Sequence, residues 1–107
     1  MTPDFSRLDR TLHEPARLAI ASVLSSRAEA SFTELRELLS LTDGNLSVHL
    51  RALQDAGYVT VEKAFVERKP RTTARLSRKG REALGKHLDA LEQILRAARG
   101  AVRSGKR

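Results

Sequence analysis

The sequence contains no cysteine. That excludes disulfide bridges, zinc sites built on thiolates and thiol-based redox sensing. Aromatic residues are scarce, and Phe5, Phe32, Tyr58 and Phe65 are the whole set. A 107-residue chain so poor in large side chains makes one domain, residues 1–107, with a modest core. A partner subunit would help to stabilise a domain of that size. There is no apolar stretch at the N-terminus, and no run approaches the length of a membrane span. The expectation is a cytoplasmic protein without a membrane association. Acids are outnumbered, with 13 Asp and Glu against 20 Lys and Arg, for a net charge of +7. Such a balance favours polyanionic partners. No Ser/His/Asp or paired-carboxylate set stands out, so no catalysis is expected. The C-terminal GAVRSGKR falls short of a phosphate-binding loop, because Arg107 follows the lysine where Ser or Thr is needed. No cofactor is expected.

Apolar spacing and capping residues order the elements. Residues 1–4 read as a disordered lead. Phe5, Leu8 and Leu12 repeat with a helical period, which predicts a short helix near 5–12. Pro15 predicts a break near His13-Glu14 and a second helix over 15–27. Ser31 stands three residues before Glu34, the spacing of a capping box, at the start of a short helix over 32–39. A one- or two-residue strand fits at Ala30. In LTDGNLSVHLRALQDAGYV, Asp43-Gly44 has the composition of a hairpin turn. Yet Thr42 can cap a helix there, Leu41 and Leu46 have the hydrophobic-staple spacing, and Leu46, Leu50 and Leu53 continue the period. Gly57 suits the helix end. These signals predict a helix over 42–56. Two strands follow, at 58–66 and 71–77, joined by an exposed basic loop, ERKPR. Ser77 caps a last helix reaching Arg99, and residues 100–107 read as a disordered tail.

The fold class is therefore mainly α with a small β-hairpin. A helix-turn-helix at 31–56 is followed by a wing at 58–77. On the 42–56 helix, Leu46, Leu50 and Leu53 define the core side at about 100° per residue. Gly44, Ser47, Val48, Arg51 and Asp55 face away, and Asn45 lies on one edge near the N-terminus. A small, polar, basic outward face is what a groove-reading helix needs. Asp43 helps the helix dipole but would oppose nearby phosphates, so it should point aside or toward a base edge. Arg68, Lys69 and Arg71 place positive charge at the hairpin tip.

The segment FTELRELLSLTDGNLSVHLRALQDAGYV, the wing RKPRTT and the following LSRKG resemble winged-helix transcriptional regulators of the MarR/ArsR type. The resemblance covers about residues 8–95. It implies a homodimer bound to double-stranded DNA at a near-palindromic operator. It also implies recognition-helix positions at Thr42, Gly44, Asn45, Ser47, Val48 and Arg51, wing positions at Arg68, Lys69 and Arg71, and a structural role for His49. The metal sensors of that type use clusters of Cys, His and Asp, and no such cluster is visible here. His13 and His87 read as ordinary residues. Flanking dimerisation helices are expected at 1–12 and 82–99. Leu84, Leu88, Leu91 and Leu95 would form a heptad-like seam, completed by Phe5, Leu8 and Leu12. The additions to the domain are short helices, which argues against a large effector pocket, and no effector is specified. The alternative is a winged-helix module that binds protein partners, although a basic wing fits such an interface poorly.

Overall fold

The structure, a computed structural model, describes residues 4–105. Met1 to Pro3 of the expected lead, and Lys106 and Arg107 of the expected tail, lie outside the described residues. The helices are α1 (Arg10–His13), α2 (Pro15–Ser25), α3 (Phe32–Leu39), α4 (Asp43–Asp55) and α5 (Arg78–Ser104). The strands are β1 (Ala30–Ser31), β2 (Val59–Val66) and β3 (Lys69–Leu76), in the sheet order β1-β3-β2. Ala30 pairs with Ala74 and Ser31 with Thr73, so the wing is anchored to the strand before α3.

Most boundaries follow from caps. Glu14 accepts from the N–H groups of Ala16 and Arg17, with Pro15 at the first helical position of α2. Burial pushes the Glu14 carboxyl up, but those two N–H donors and the charges of His49 and Arg17 outweigh it and hold it below its ordinary value. Ser31 and Glu34 form the complete capping box. Leu12, Ile20, Leu24, Leu35, Leu46 and Leu53 are fully buried and make one core under the helices and sheet.

Four expectations need correction. The 5–12 helix is two pieces, a 3-10 turn at Phe5–Arg7 and α1. Asp4 accepts from the Ser6 N–H and Asp9 from the Leu12 N–H, and such local acceptors start new turns rather than extend old ones. Asp4 is thus a cap and not part of a disordered lead. The wing loop is not ERKPR but a two-residue turn at Glu67-Arg68, both at positive φ of 52° and 68°. Lys69, Pro70 and Arg71 therefore lie in β3. β1 pairs only with Thr73 and Ala74, so at Pro70 β3 has a free edge that tolerates the missing donor. Finally, the helix expected to end at Arg99 runs to Ser104. Ala97, Ala98, Arg99, Ala101 and Arg103 are adequate helix formers, and Gly100 alone does not stop them.

Asp9 joins three parts of the molecule. Its N–H donates to His87 Nδ1 at 3.0 Å, and its carboxylate accepts from the Tyr58 hydroxyl at 2.5 Å. The Tyr58 phenol is pushed up to about 12 by that hydrogen bond, by burial and by the Asp9 charge. His87 is fully buried, and burial, followed by the charge of nearby His13, pushes it below its ordinary value. His87 is thus a core residue. It stands three residues after Leu84, inside the apolar period of α5, which was the available signal.

Candidate nucleic-acid interface

α3 and α4 form the helix-turn-helix around Ser40–Thr42. Ser40 adopts the left-handed conformation and lets the Leu41 N–H reach the Arg36 carbonyl at 3.0 Å. Thr42 caps α4 through the Asn45 N–H at 3.1 Å. At the other end, the Gly57 N–H reaches Gln54 O and the Tyr58 N–H reaches Leu53 O, a Schellman closure with Gly57 at φ +81°. Leu46, Leu50 and Leu53 are buried, and Leu41 packs against the same core.

The outward face is as expected. Gly44, Asn45, Ser47, Val48 and Arg51 are all exposed, as is the capping Thr42. Val48 is 64% exposed, so its side chain is left uncovered by the domain. His49 lies on the flank, with Nδ1 3.1 Å from Glu14 Oε2 and 3.4 Å from the Arg17 guanidinium. It ties α4 to the N-terminus of α2, the structural role expected of it. Asp43 points aside and binds Arg36 at 2.9 Å, which holds the Arg36 guanidinium above its ordinary value. Arg51 is also held sideways, with Nε 3.3 Å from Asp55 Oδ1. Both side chains of that pair are well exposed, so it holds Arg51 only weakly.

A crevice of about 330 Å³ separates α4 from the wing, with Ser47, Arg51 and Gln54 on one wall and Lys63 and Thr72 on the other. Gln54 and Lys63 line this crevice beside the expected Ser47 and Arg51. Gln54 stands seven residues after Ser47, and Lys63 alternates with Val59 and Val61, so period alone placed both on this face. Arg68 occupies the turn, and Lys69 and Arg71 stand opposite Val66 and Ala64. Several neighbouring cations are already engaged. Arg75 binds Glu29 at 2.7 Å, Arg81 donates to the Ser25 carbonyl, and Lys79 sits over the Tyr58 ring. Arg71 lies 3.9 Å from Glu34. Among the described residues, Lys63, Arg68 and Lys69 have no acidic partner within salt-bridge distance.

Residues 16–95 match the winged helix DNA-binding domain. The chain belongs to that family. An uncharacterized protein of Methanocaldococcus jannaschii is 32% identical over 78 residues, 73% of this chain and 85% of that one. A transcriptional regulator homologue from Pyrococcus horikoshii OT3 is 32% identical, with a TM-score of 0.79 over 84% of this chain and 89% of that one. MarR shares the fold at 21% identity, with a TM-score of 0.68 over 79% of this chain and 64% of its own. The winged helix family and the MarR-type neighbours agree with the resemblance carried by the helix-turn-helix and wing.

Within this winged helix, the expected dimer residues divide. Leu12 and Leu84 are buried in the domain's own core and have no surface to offer. A heptad period locates an apolar stripe but not what covers it. Phe5, Leu88 and Leu95 are exposed, while Leu8 and Leu91 are half-buried. The last buried residue of α5 is Ala90, and the helix continues beyond the core to Ser104. The N-terminal segment carries an open crevice of about 620 Å³ lined by Phe5, Leu8, Arg10 and His13. Among the described residues no helix is long and apolar enough to cross a membrane.

Proposed function

We propose that this chain is a sequence-specific regulator of transcription that binds a near-palindromic operator as a homodimer. The observation that carries the reading is the uncovered outward face of α4, whose Ser47 and Arg51 share one crevice with Lys63 of the wing. α4 enters the major groove. Asn45, Ser47 and Arg51 offer hydrogen bonds to base edges, and Val48 suits a thymine methyl. Arg68 and Lys69 contact the backbone and hold the register. Phe5, Leu8, Leu88, Leu91 and Leu95 cover one another across a two-fold axis, which sets two α4 helices about 34–36 Å apart on one side of the duplex.

Selection of duplexes from a random pool, followed by gel shift of the winning site, tests this reading. The expected result is an enriched inverted repeat bound by two chains. No enrichment, together with tight binding of a protein partner, favours the interaction module instead.

Two substitutions separate folding from binding. A Cβ at Gly44 meets nothing within 4 Å in the free protein. Gly44→Ala should therefore melt no lower than the parent, because alanine is the better helix former. It should bind the operator about tenfold more weakly, because the methyl stands between the helix and the groove. Equal binding by titration removes Gly44 from the contact surface. Asp55→Asn releases Arg51 and removes a negative charge from the same face. A gain of about three- to tenfold in affinity at low salt is expected, shrinking as salt is added. A loss of affinity would mean that the pair positions Arg51 rather than restraining it.

A further inference from the structure

We propose that Phe65 is an apolar wedge that enters the minor groove beside each half-site and selects a deformable base step there. The proposal rests on the DNA-binding reading above. Phe65 is 76% exposed, on a strand whose partner residue is Pro70. Neighbouring Val66, 47% exposed, lies on the opposite strand face, so the phenyl stands uncovered on its own face beside Pro70. Apart from Glu67 in the turn, the charges around it are positive. Arg68 is in the adjoining turn, and Lys63 is two residues back on the same strand face. An aromatic flanked by positive charge fits a surface that is apolar between two rows of phosphates, which is the chemistry of a minor groove and its base steps.

The geometry reaches that far. By strand alternation Phe65 shares the face of Val61 and Lys63, and that face forms the crevice wall opposite Ser47 and Arg51. Val61 is the last half-buried residue of β2. Phe65 stands four residues beyond it, about 13 Å at the rise of a strand. The major groove is about 12 Å wide. With α4 in that groove, the hairpin is long enough to cross the bounding phosphate ridge and deliver the phenyl to the adjoining minor groove. Pyrimidine–purine steps unstack most readily, so a wedge prefers them.

The test uses the full chain and its selected operator, with 2-aminopurine placed in turn at the steps flanking each half-site. Wild type should raise the fluorescence at one step per half-site, and Phe65→Ala should abolish the rise. Replacing that step by a stiff A-tract step should weaken wild type about tenfold and leave Phe65→Ala unaffected. Phe65→Leu, which keeps an apolar side chain, should retain part of both effects. The position is exposed, and the melting temperature of each variant checks that the fold is kept. Equal fluorescence and equal step preference in wild type and Phe65→Ala overturn the wedge, as does a uniform loss of affinity without a change in either. If wild type enriches no operator at all, it is the DNA-binding reading that fails.

Discussion

Gly80→Ala is expected to destabilise the fold by about 3 kcal/mol, against the usual direction for glycine in a helix. A Cβ at this position would stand 2.1 Å from the Tyr58 carbonyl oxygen, 2.8 Å from its carbon and 2.9 Å from Leu76 Cδ1. The first two are backbone atoms and cannot rotate away. They are also held in place, because the Tyr58 carbonyl accepts from the Ser77 N–H at 2.9 Å. The Ser77 hydroxyl meanwhile caps the Gly80 N–H at 2.9 Å and donates to the Gly57 carbonyl at 2.6 Å. Relieving the clash would lift the first turn of α5 off the C-terminal end of α4 and break these bonds together. For a domain of this size the melting temperature should fall by about 10–20 °C. Gly85 is the control, because a Cβ there meets nothing within 4 Å. Gly85→Ala should be neutral or should stabilise by up to about 1 kcal/mol. Thermal and urea melts read both variants, and equal stability of Gly80→Ala and the parent would mean that α5 is not seated on Tyr58 in solution.

Arg51→Ala should leave the fold intact and weaken operator binding by about 1–3 kcal/mol, with the loss confined to one base pair in each half-site. Among the described residues its one ion pair is with exposed Asp55, worth less than about 1 kcal/mol, so the melting curve should barely move. Arg51→Lys should recover only part of the affinity, since an ammonium lacks the planar fork that matches a guanine edge. Replacing Arg68 and Lys69 together should behave differently. Binding to all duplexes should weaken, and the salt dependence should flatten by about one counterion per lost phosphate contact. The two patterns separate reading from anchoring. Equal loss on every sequence for Arg51→Ala would reassign that side chain to a phosphate.

Where the local chemistry is self-contained, it was legible in the sequence. The Thr42 cap, the Leu41 and Leu46 pair and the Gly57 closure mark both ends of α4, and leucine spacing sets its buried side. The outward residues Asn45, Ser47, Val48 and Arg51 followed directly. Reading failed where a distant element decides. Glu67-Arg68 makes a tight turn although neither residue favours positive φ, because the ladder from Val59–Leu76 to Val66–Lys69 closes on them. Pro70 has the look of a loop residue and sits in a strand, since β1 is too short to pair with it. Leu12 and Leu84 belong to a seam by period, but their burial depends on how the N-terminal segment folds back onto α5. His87 is part of that same closure, through its bond to the Asp9 N–H.

The central claim is that two α4 helices occupy successive major grooves of one operator. Methylation interference at guanine N7 tests it most directly, because that atom lies on the major-groove edge. The expected result is two clusters of interfering guanines centred about one helical turn apart, with Arg51→Ala losing one guanine from each. A single cluster, or interference unchanged by Arg51→Ala, would contradict it.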